Sequence, residues 1–269
     1  MTDLSAGLRA ALAAFASLPR VLIALDFDGT LAPFVLDPLQ ARAVPGGLEA
    51  LRAAAALEGV TVAVVSGRDL TTLGALTGTG PGDEVTLIGS HGAETSLPGH
   101  HSLAPDADFL DPESAALLRV LGEELEEIRS RYPSVRLEHK PAAVALHTRG
   151  VEPSAAAAAT AATLAVGERH PGVHVMPGKN VVELTVREAN KGNAVVALAQ
   201  VSSSQATLYV GDDVTDERAF AALNPPSGDL TVKVGDGQTA ATQRVPDPAS
   251  VVQMLELFLE LRRLPRGRR

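Results

Sequence analysis

Cysteine and tryptophan are both absent from this 269-residue sequence. Without cysteine, the chain has no disulfide bond, no thiolate metal site and no cysteine nucleophile. A chain without disulfide bonds suits a reducing compartment, so we expect a cytoplasmic location. With 45% hydrophobic residues, the chain can still bury a large core and is long enough for one or two domains.

Basic residues are few relative to acidic ones, since 23 Lys and Arg stand against 32 Asp and Glu and give a formal net charge of −9. Nucleic-acid-binding proteins usually carry a basic face, so we expect no nucleic-acid partner. The overall field would not attract an anionic substrate, which would therefore need a local basic group or a bound metal ion.

A convincing targeting or membrane-spanning segment is also missing. Residues 8–18 are apolar and rich in alanine, but Asp3 precedes them and Pro19 ends the run well short of the roughly 20 residues that a span requires. We interpret this run as an amphipathic helix that packs on a sheet, and we expect no membrane partner. At the other end, five arginines between positions 262 and 269 predict a solvated tail.

The most informative stretch is the apolar run Val21–Leu25, which is followed by Asp26 and Asp28. An uninterrupted apolar run of this length predicts a fully buried strand of a parallel sheet. Both carboxylates then lie at the carboxyl end of the strand, where open α/β sheets bind ligands. Gly29 allows a sharp turn there, and Thr30 adds a hydroxyl group. Two carboxylates this close repel each other unless a cation or a shared proton lies between them, so the stretch predicts a metal site.

A second strand, Val60–Val65, follows a predicted helix over 48–57 and ends in Ser66-Gly67-Arg68. Strand, helix and strand form a βαβ unit, which brings Ser66 to the same sheet edge as the two carboxylates. A serine here could simply cap the helix that follows, but its place at this edge favours Ser66 as a phosphate ligand. Arg68 could contact a substrate or form a surface salt bridge.

A lysine and an acidic cluster follow later in the chain. Lys191 stands at the start of a predicted helix that runs through Ala199, where the helix dipole disfavours a cation, so a nearby anion is expected. The predicted strand Ala206–Val210 is followed by four acids in six residues, at positions 212–217. Such acids often form a solvated turn, but directly after a buried strand they suit Mg²⁺, which prefers hard oxygen ligands.

The predicted strands and helices divide the chain into two domains. A βαβ core is expected over residues 1–95 and 185–269, and an inserted α+β domain over 96–184. Core strands are also predicted at 85–89 and 231–234, and a last helix at 249–262. The insert is predicted to contain helices over 113–131 and 154–169 and strands near 136–137, 142–148, 173–176 and 181–186.

The motifs at 26–31, 66–68, 190–193 and 211–217 resemble, in this order, the four motifs of the haloacid dehalogenase (HAD) superfamily. The resemblance implies an HAD-like Rossmannoid α/β core with a parallel sheet and a smaller inserted α+β cap domain of the C2 type. It implies that Asp26 is a nucleophile that becomes an aspartyl-phosphate, and that Asp28 protonates the leaving oxygen and then activates water. Ser66, Gly67 and Lys191 would bind phosphate. The cofactor would be Mg²⁺, with candidate ligands Asp26, Asp28, Asp212, Asp213 and Asp216.

Further segments are similar to the trehalose-6-phosphate phosphatase family. They are Asp-Phe-Asp-Gly-Thr-Leu-Ala-Pro with Asp37, Pro38 and Ala41, Ser-His-Gly-Ala-Glu at 90–94, Glu138-His139-Lys140 with His147, Gly178-Lys179 with Val182-Glu183, and the fourth motif with Phe220. The resemblance implies hydrolysis of trehalose 6-phosphate to trehalose and phosphate, the last step of trehalose biosynthesis. A sugar phosphate would be the small-molecule partner, and a trehalose-6-phosphate synthase is a candidate protein partner of an otherwise monomeric enzyme. The substrate-binding residues would be Arg68, His91, Glu138, Lys140 and Glu183.

Several alternatives remain open at this stage. Glu138 and Lys140 could form an exposed ion pair, and His91 could be an ordinary core histidine. The protein could instead be another capped sugar phosphatase, which acts on sucrose 6-phosphate, a glycosyl-glycerate phosphate or hexose phosphates. A non-catalytic sugar-phosphate sensor or a synthase scaffold is a remote alternative. Residues 186–189 lack a proline that the family often carries before the Asn-Lys-Gly segment, which puts the geometry of the hinge in question.

Overall fold

We describe a computed structural model of the chain over residues 4–35, 37–80, 82–100, 110, 112–140, 143–178, 180–186 and 190–264. The chain divides into two compact units, Met1–Leu103 with Ala189–Arg269 and Ala104–Glu188. Among the described residues, no helix is both long enough and apolar enough to cross a bilayer.

The larger unit is built on a seven-stranded sheet of order β11-β10-β9-β1-β2-β3-β4, in which every pairing is parallel except that of β3 with β4. Its elements are α1 (Ala6–Ser17), β1 (Val21–Asp26), α2 (Gly47–Ala55), β2 (Val60–Val65), α3 (Leu70–Thr77), β3 (Val85–Gly89), β4 (Glu94–Thr95), α6 (Lys191–Val201), β9 (Ala206–Gly211), α7 (Val214–Ala222), β10 (Leu230–Val234), β11 (Gln243–Val245) and α8 (Pro248–Arg263).

Strand β1 lies at the centre of this sheet, and all six of its residues are buried. It pairs in parallel with β2 on one side and β9 on the other, with Val21 opposite both Val60 and Ala206. The three strands therefore end at one edge, where Asp26 is paired with Val65 and the chain continues from β9 into the acidic cluster. The α/β fold with a parallel core sheet is confirmed.

Helices cover both faces of the sheet. One apolar layer joins α1, α2 and α8 to one face, through residues such as Leu12, Leu51 and Phe258. The other joins α6 and α7 to the opposite face, through residues such as Leu198 and Phe220. Burial on both faces is the reason why the central strands are continuous apolar runs.

Three elements of the larger unit are absent from the sequence-based prediction, namely β4, α7 and β11. The two strands are only two and three residues long, too short for an alternating pattern to appear. Helix α7 begins inside the acidic cluster, where Asp213 and Asp216 form a capping box. The acids that resemble a solvated turn therefore include the start of a helix.

The smaller unit is a four-stranded antiparallel sheet of order β5-β6-β8-β7 with two helices on one face. Residues such as Leu121 of the first helix and Val166 of the second pack on Val144 and Leu184 of the sheet. Its elements are α4 (Pro112–Arg131), β5 (Arg136–Lys140), β6 (Ala143–His147), α5 (Pro153–Arg169), β7 (His174–Gly178) and β8 (Val181–Thr185).

The prediction of a solvated arginine tail is wrong for its first residue, Arg262. Arg262 belongs to α8 and is only 8% exposed. Its guanidinium group donates hydrogen bonds to four backbone oxygens, those of Ala16, Leu18, Pro19 and Glu58. Arg262 thereby joins the last helix to the end of α1 and to the loop before β2, since its fork of donors suits several carbonyls at once.

We expect Arg262→Ala to lower the free energy of unfolding by about 2–4 kcal/mol, because the substitution leaves four carbonyl groups without their charged donor. The matched control is Arg263→Ala, since Arg263 is exposed on the same helix turn and should cost less than about 0.5 kcal/mol. Urea unfolding measures both values, and equal costs would contradict the assigned role of Arg262.

Candidate active site

Gly29 and Thr30 place the carboxylate of Asp212 beside the end of β1. Gly29 has a φ of +77°, and a Cβ atom at this position would lie 2.1 Å from Oδ2 of Asp212. Only glycine therefore permits this approach. The buried hydroxyl of Thr30 donates a hydrogen bond of 3.1 Å to Oδ1 of Asp212 and holds the carboxylate in place.

Asp26, the predicted nucleophile, is 4% exposed at the carboxyl end of β1. Its Oδ1 accepts a hydrogen bond of 2.7 Å from the backbone N–H of Phe27, and its Oδ2 lies 2.8 Å from Nζ of Lys191. Burial raises the pKa of Asp26 against the opposing effect of Lys191. Burial alone would lower the pKa of Lys191, but the opposing effect of Asp26 and Asp216 is larger. The pKa of Lys191 is therefore raised, and the ammonium stays charged.

Asp216 lies behind this pair and is completely buried. Its Oδ1 accepts from Nζ of Lys191 at 2.9 Å and from the hydroxyl of Tyr209 at 2.7 Å, while its Oδ2 accepts from the backbone N–H groups of Asp212 and Asp213 at 2.9 Å each. Burial and the charge of Asp216 raise the pKa of Tyr209 well above its ordinary value, so the phenol remains a donor. Four donors thus hold one carboxylate.

Carboxylate oxygens of Asp26, Asp212 and Asp216 lie within 4.8 Å of one another. Burial and the charge of Asp216 raise the pKa of Asp212 to about 6. A compact set of hard oxygen donors whose negative charges disfavour one another fits a divalent cation. Because both oxygens of Asp216 already accept two hydrogen bonds, Asp26 and Asp212 are the carboxylates best suited to contact it.

The side chains of Asp28 and Asp213, also predicted as metal ligands, lie outside this group of three. Both oxygens of Asp28 pair with the guanidinium group of Arg68, at 2.6 and 2.7 Å. Asp213 caps the N-terminus of α7 through its own Oδ1. The contact between Arg68 and Asp28 corresponds to the salt-bridge alternative, although Arg68 also faces the cavity described next.

A cavity of about 350 Å³ opens over Asp26. Its lining residues are Asp26, Asp28, Phe34, Ser66, Gly67, Arg68, His91, Lys191, Asp213 and Thr215. The structure therefore brings together every core residue predicted for phosphate binding and catalysis, together with His91. Phe34 and Thr215 are additional; Thr215 belongs to the fourth motif, whereas no pattern in the sequence distinguishes Phe34.

His91 enters the cavity wall because the backbone around it is unusual. Ser90 and His91 have φ values of 48° and 56°, which non-glycine residues rarely adopt. A Cβ atom at position 67 would lie 2.6 Å from the ring of His91, so Gly67 allows the ring to approach. Burial, and then the charge of Lys191, lower the pKa of His91, which favours the neutral imidazole.

Glu138 and Glu183, two of the predicted sugar-binding residues, share one face of the smaller unit's sheet. Ala145 of β6 lies opposite Glu138 of β5 and Glu183 of β8, and directly paired residues project to the same side. Glu138 has a histidine partner, since Nε2 of His147 lies 2.8 Å from its Oε2. The backbone of Lys140 pairs with Ala143, but its side chain lies outside the described residues.

Comparison with known proteins points to the same family. Residues 24–249 match the trehalose-phosphatase family. A trehalose-phosphate phosphatase of Mycobacterium tuberculosis is 34% identical over 255 residues, which cover 89% of this chain and 62% of the relative. A protein of the same species named an uncharacterized glycosyl hydrolase is 36% identical over 264 residues, covering 91% of this chain but only 19% of that protein.

A solved structure of Aspergillus fumigatus trehalose-6-phosphate phosphatase matches with a TM-score of 0.57 and 27% identity, covering 94% of this chain and 97% of that one. The chain spans about 62% of the length of the curated phosphatases it matches first. Since the family match extends over more than half of the sequence, this chain belongs to the trehalose-phosphatase family.

Proposed function

We propose that this chain hydrolyses trehalose 6-phosphate to trehalose and phosphate. The observation that carries the proposal is the carboxylate of Asp26, which lies at the cavity wall 2.8 Å from the ammonium of Lys191. A nucleophile paired with a cation can approach a phosphate dianion that it would otherwise repel. The named function of the mycobacterial relative, at 34% identity, supports the choice of substrate.

In the first step, Asp26 attacks phosphorus, forming a bond from its carboxylate oxygen while the bond from phosphorus to the sugar oxygen breaks. Asp28 gives its proton to that sugar oxygen, and trehalose leaves. In the second step, water attacks the aspartyl-phosphate, Asp28 takes a proton from the water, and phosphate leaves with Asp26 restored. Two easier displacements thereby replace one difficult one.

Arg68 controls when Asp28 can act in this scheme. Its guanidinium group occupies both oxygens of Asp28, so in this arrangement neither oxygen is available to the leaving sugar oxygen or to a water molecule. The phosphate of an incoming substrate offers Arg68 an alternative partner of the same kind. Exchange of Arg68 from Asp28 to the substrate would therefore free Asp28 for proton transfer at the moment when the cavity is filled.

Asp26 and Asp212 would hold a Mg²⁺ ion, which supplies positive charge that offsets the phosphate oxygens during transfer. Lys191 is the protein's own source of positive charge toward the same phosphate oxygens. Ser66, which is 1% exposed, and Gly67 complete the phosphate side of the cavity.

We further propose that the face of the smaller unit's sheet opposite its two helices recognises the disaccharide. Glu138 and Glu183 flank Ala145 on that face, so two acceptors are separated by a small side chain. Sugar hydroxyl groups require such fixed acceptors, and a ligand that lacks a matching hydroxyl leaves a polar group unpaired.

The proposed function is tested by measuring phosphate release from trehalose 6-phosphate, sucrose 6-phosphate and glucose 6-phosphate, each with Mg²⁺ and with EDTA. We expect kcat/KM for trehalose 6-phosphate to exceed the other two by at least about tenfold, since several hydroxyl contacts differ. EDTA should abolish release, and added Mg²⁺ should restore it. Equal rates on all three esters would contradict the substrate assignment, and full activity in EDTA would contradict the metal assignment.

Glu183→Ala tests the role of the smaller unit. We expect KM for trehalose 6-phosphate to rise by roughly tenfold or more, because the loss of one charged acceptor removes about 1.5–3 kcal/mol of binding. The matched control is Glu168→Ala, which removes an exposed acid from α5 of the same unit. Turnover of glycerol 2-phosphate serves as a second control. If Glu183→Ala slows both esters equally, the residue does not recognise the sugar.

A further inference from the structure

A buried hydroxyl group in the core of the larger unit has no role in the scheme above. Tyr209 is the fourth residue of β9 and has no exposed surface. Its ring packs edge-on against Phe220, with centroids 5.8 Å apart. A phenylalanine would fill the same space, and a buried hydroxyl is unfavourable unless it is hydrogen-bonded. Packing therefore accounts for the ring of Tyr209 but not for its oxygen.

That oxygen lies 2.7 Å from Oδ1 of Asp216, the atom that also accepts from Nζ of Lys191 at 2.9 Å. Lys191 in turn lies 2.8 Å from Asp26. One ammonium group is thus shared between two carboxylates, and its position depends on how strongly each attracts it. A second donor on Oδ1 of Asp216 offsets part of the negative charge that draws Lys191 away from Asp26.

We propose that Tyr209 is a positioning residue that keeps Lys191 on the nucleophile by donating to Asp216. Without the phenol O–H, Oδ1 of Asp216 attracts the ammonium alone, and Lys191 moves from Asp26 toward Asp216. Asp26 is then less well neutralised when a phosphate approaches. The inference rests on the proposed function, in which Asp26 attacks phosphorus.

The test is Tyr209→Phe, which removes the oxygen and keeps the ring. We expect kcat to fall about tenfold while KM changes less than about threefold, since Ser66, Gly67 and the metal site still bind phosphate. The melting temperature should change by only a few degrees. The matched control is Phe220→Leu, which disturbs the ring of Tyr209 without touching its hydroxyl, and should lower the melting temperature while kcat stays within twofold.

A double-mutant cycle shows whether Tyr209 acts through Asp216. In an Asp216→Asn background, Tyr209→Phe should change kcat by less than about twofold, because the effects of substitutions within one network are not additive. The same tenfold loss in both backgrounds, or an unchanged kcat in the single variant, would overturn the proposal. If Asp216→Asn does not fold, a crystal structure of Tyr209→Phe replaces the cycle. An unchanged distance from Nζ of Lys191 to Oδ2 of Asp26 in that structure would overturn the proposal.

Failure of the substrate assignment can be told apart from failure of this inference. The ratio of wild-type to Tyr209→Phe kcat is measured on whichever of the three sugar phosphates is turned over fastest. A low rate on trehalose 6-phosphate would refute the proposed substrate, while the ratio on the better ester would still decide the role of Tyr209.

Discussion

One ammonium group, Nζ of Lys191, lies between two buried carboxylates, 2.8 Å from Asp26 and 2.9 Å from Asp216. Buried carboxylates are costly in the ionised form unless a cation pairs with them, and Lys191 is a cation available to both. Because Asp216 also accepts from two backbone N–H groups and from Tyr209, it is anchored on three sides. The position of the lysine, and with it the neutralisation of Asp26, the proposed nucleophile, depends on that anchor.

The parallel sheet makes this arrangement possible. Asp26 is the last residue of β1, Ser66 follows β2 and Asp212 follows β9, and these three strands are neighbours that end at one edge. Residues separated by up to 189 positions, Asp26 and Thr215, thereby line a single cavity. Gly29 completes the arrangement, since a side chain there would overlap the carboxylate of Asp212. Fold and site therefore depend on the same three strand ends.

Much of this could be predicted from sequence because the central strands are apolar runs that end in chemically distinctive residues. The sequence could not predict contacts between side chains far apart in the chain, or between a side chain and the backbone. Helix α7 resembles a solvated turn until its capping box is seen, and Arg262 resembles part of a frayed tail until its four carbonyl partners are seen. The hydroxyl of Tyr209 leaves no periodic signal, since one polar atom in a buried strand does not alter an apolar pattern.

Chemical trapping of the intermediate tests the central claim most directly. During turnover of the best substrate, the reaction is quenched with acid and treated with borohydride, which reduces an aspartyl-phosphate to homoserine. Mass spectrometry of the peptide that carries Val21–Leu31 then identifies the modified residue. The account predicts conversion at Asp26, only when substrate is present and not in Asp26→Asn. Conversion at another carboxylate, or no conversion at Asp26 in a preparation that is turning over, would contradict it.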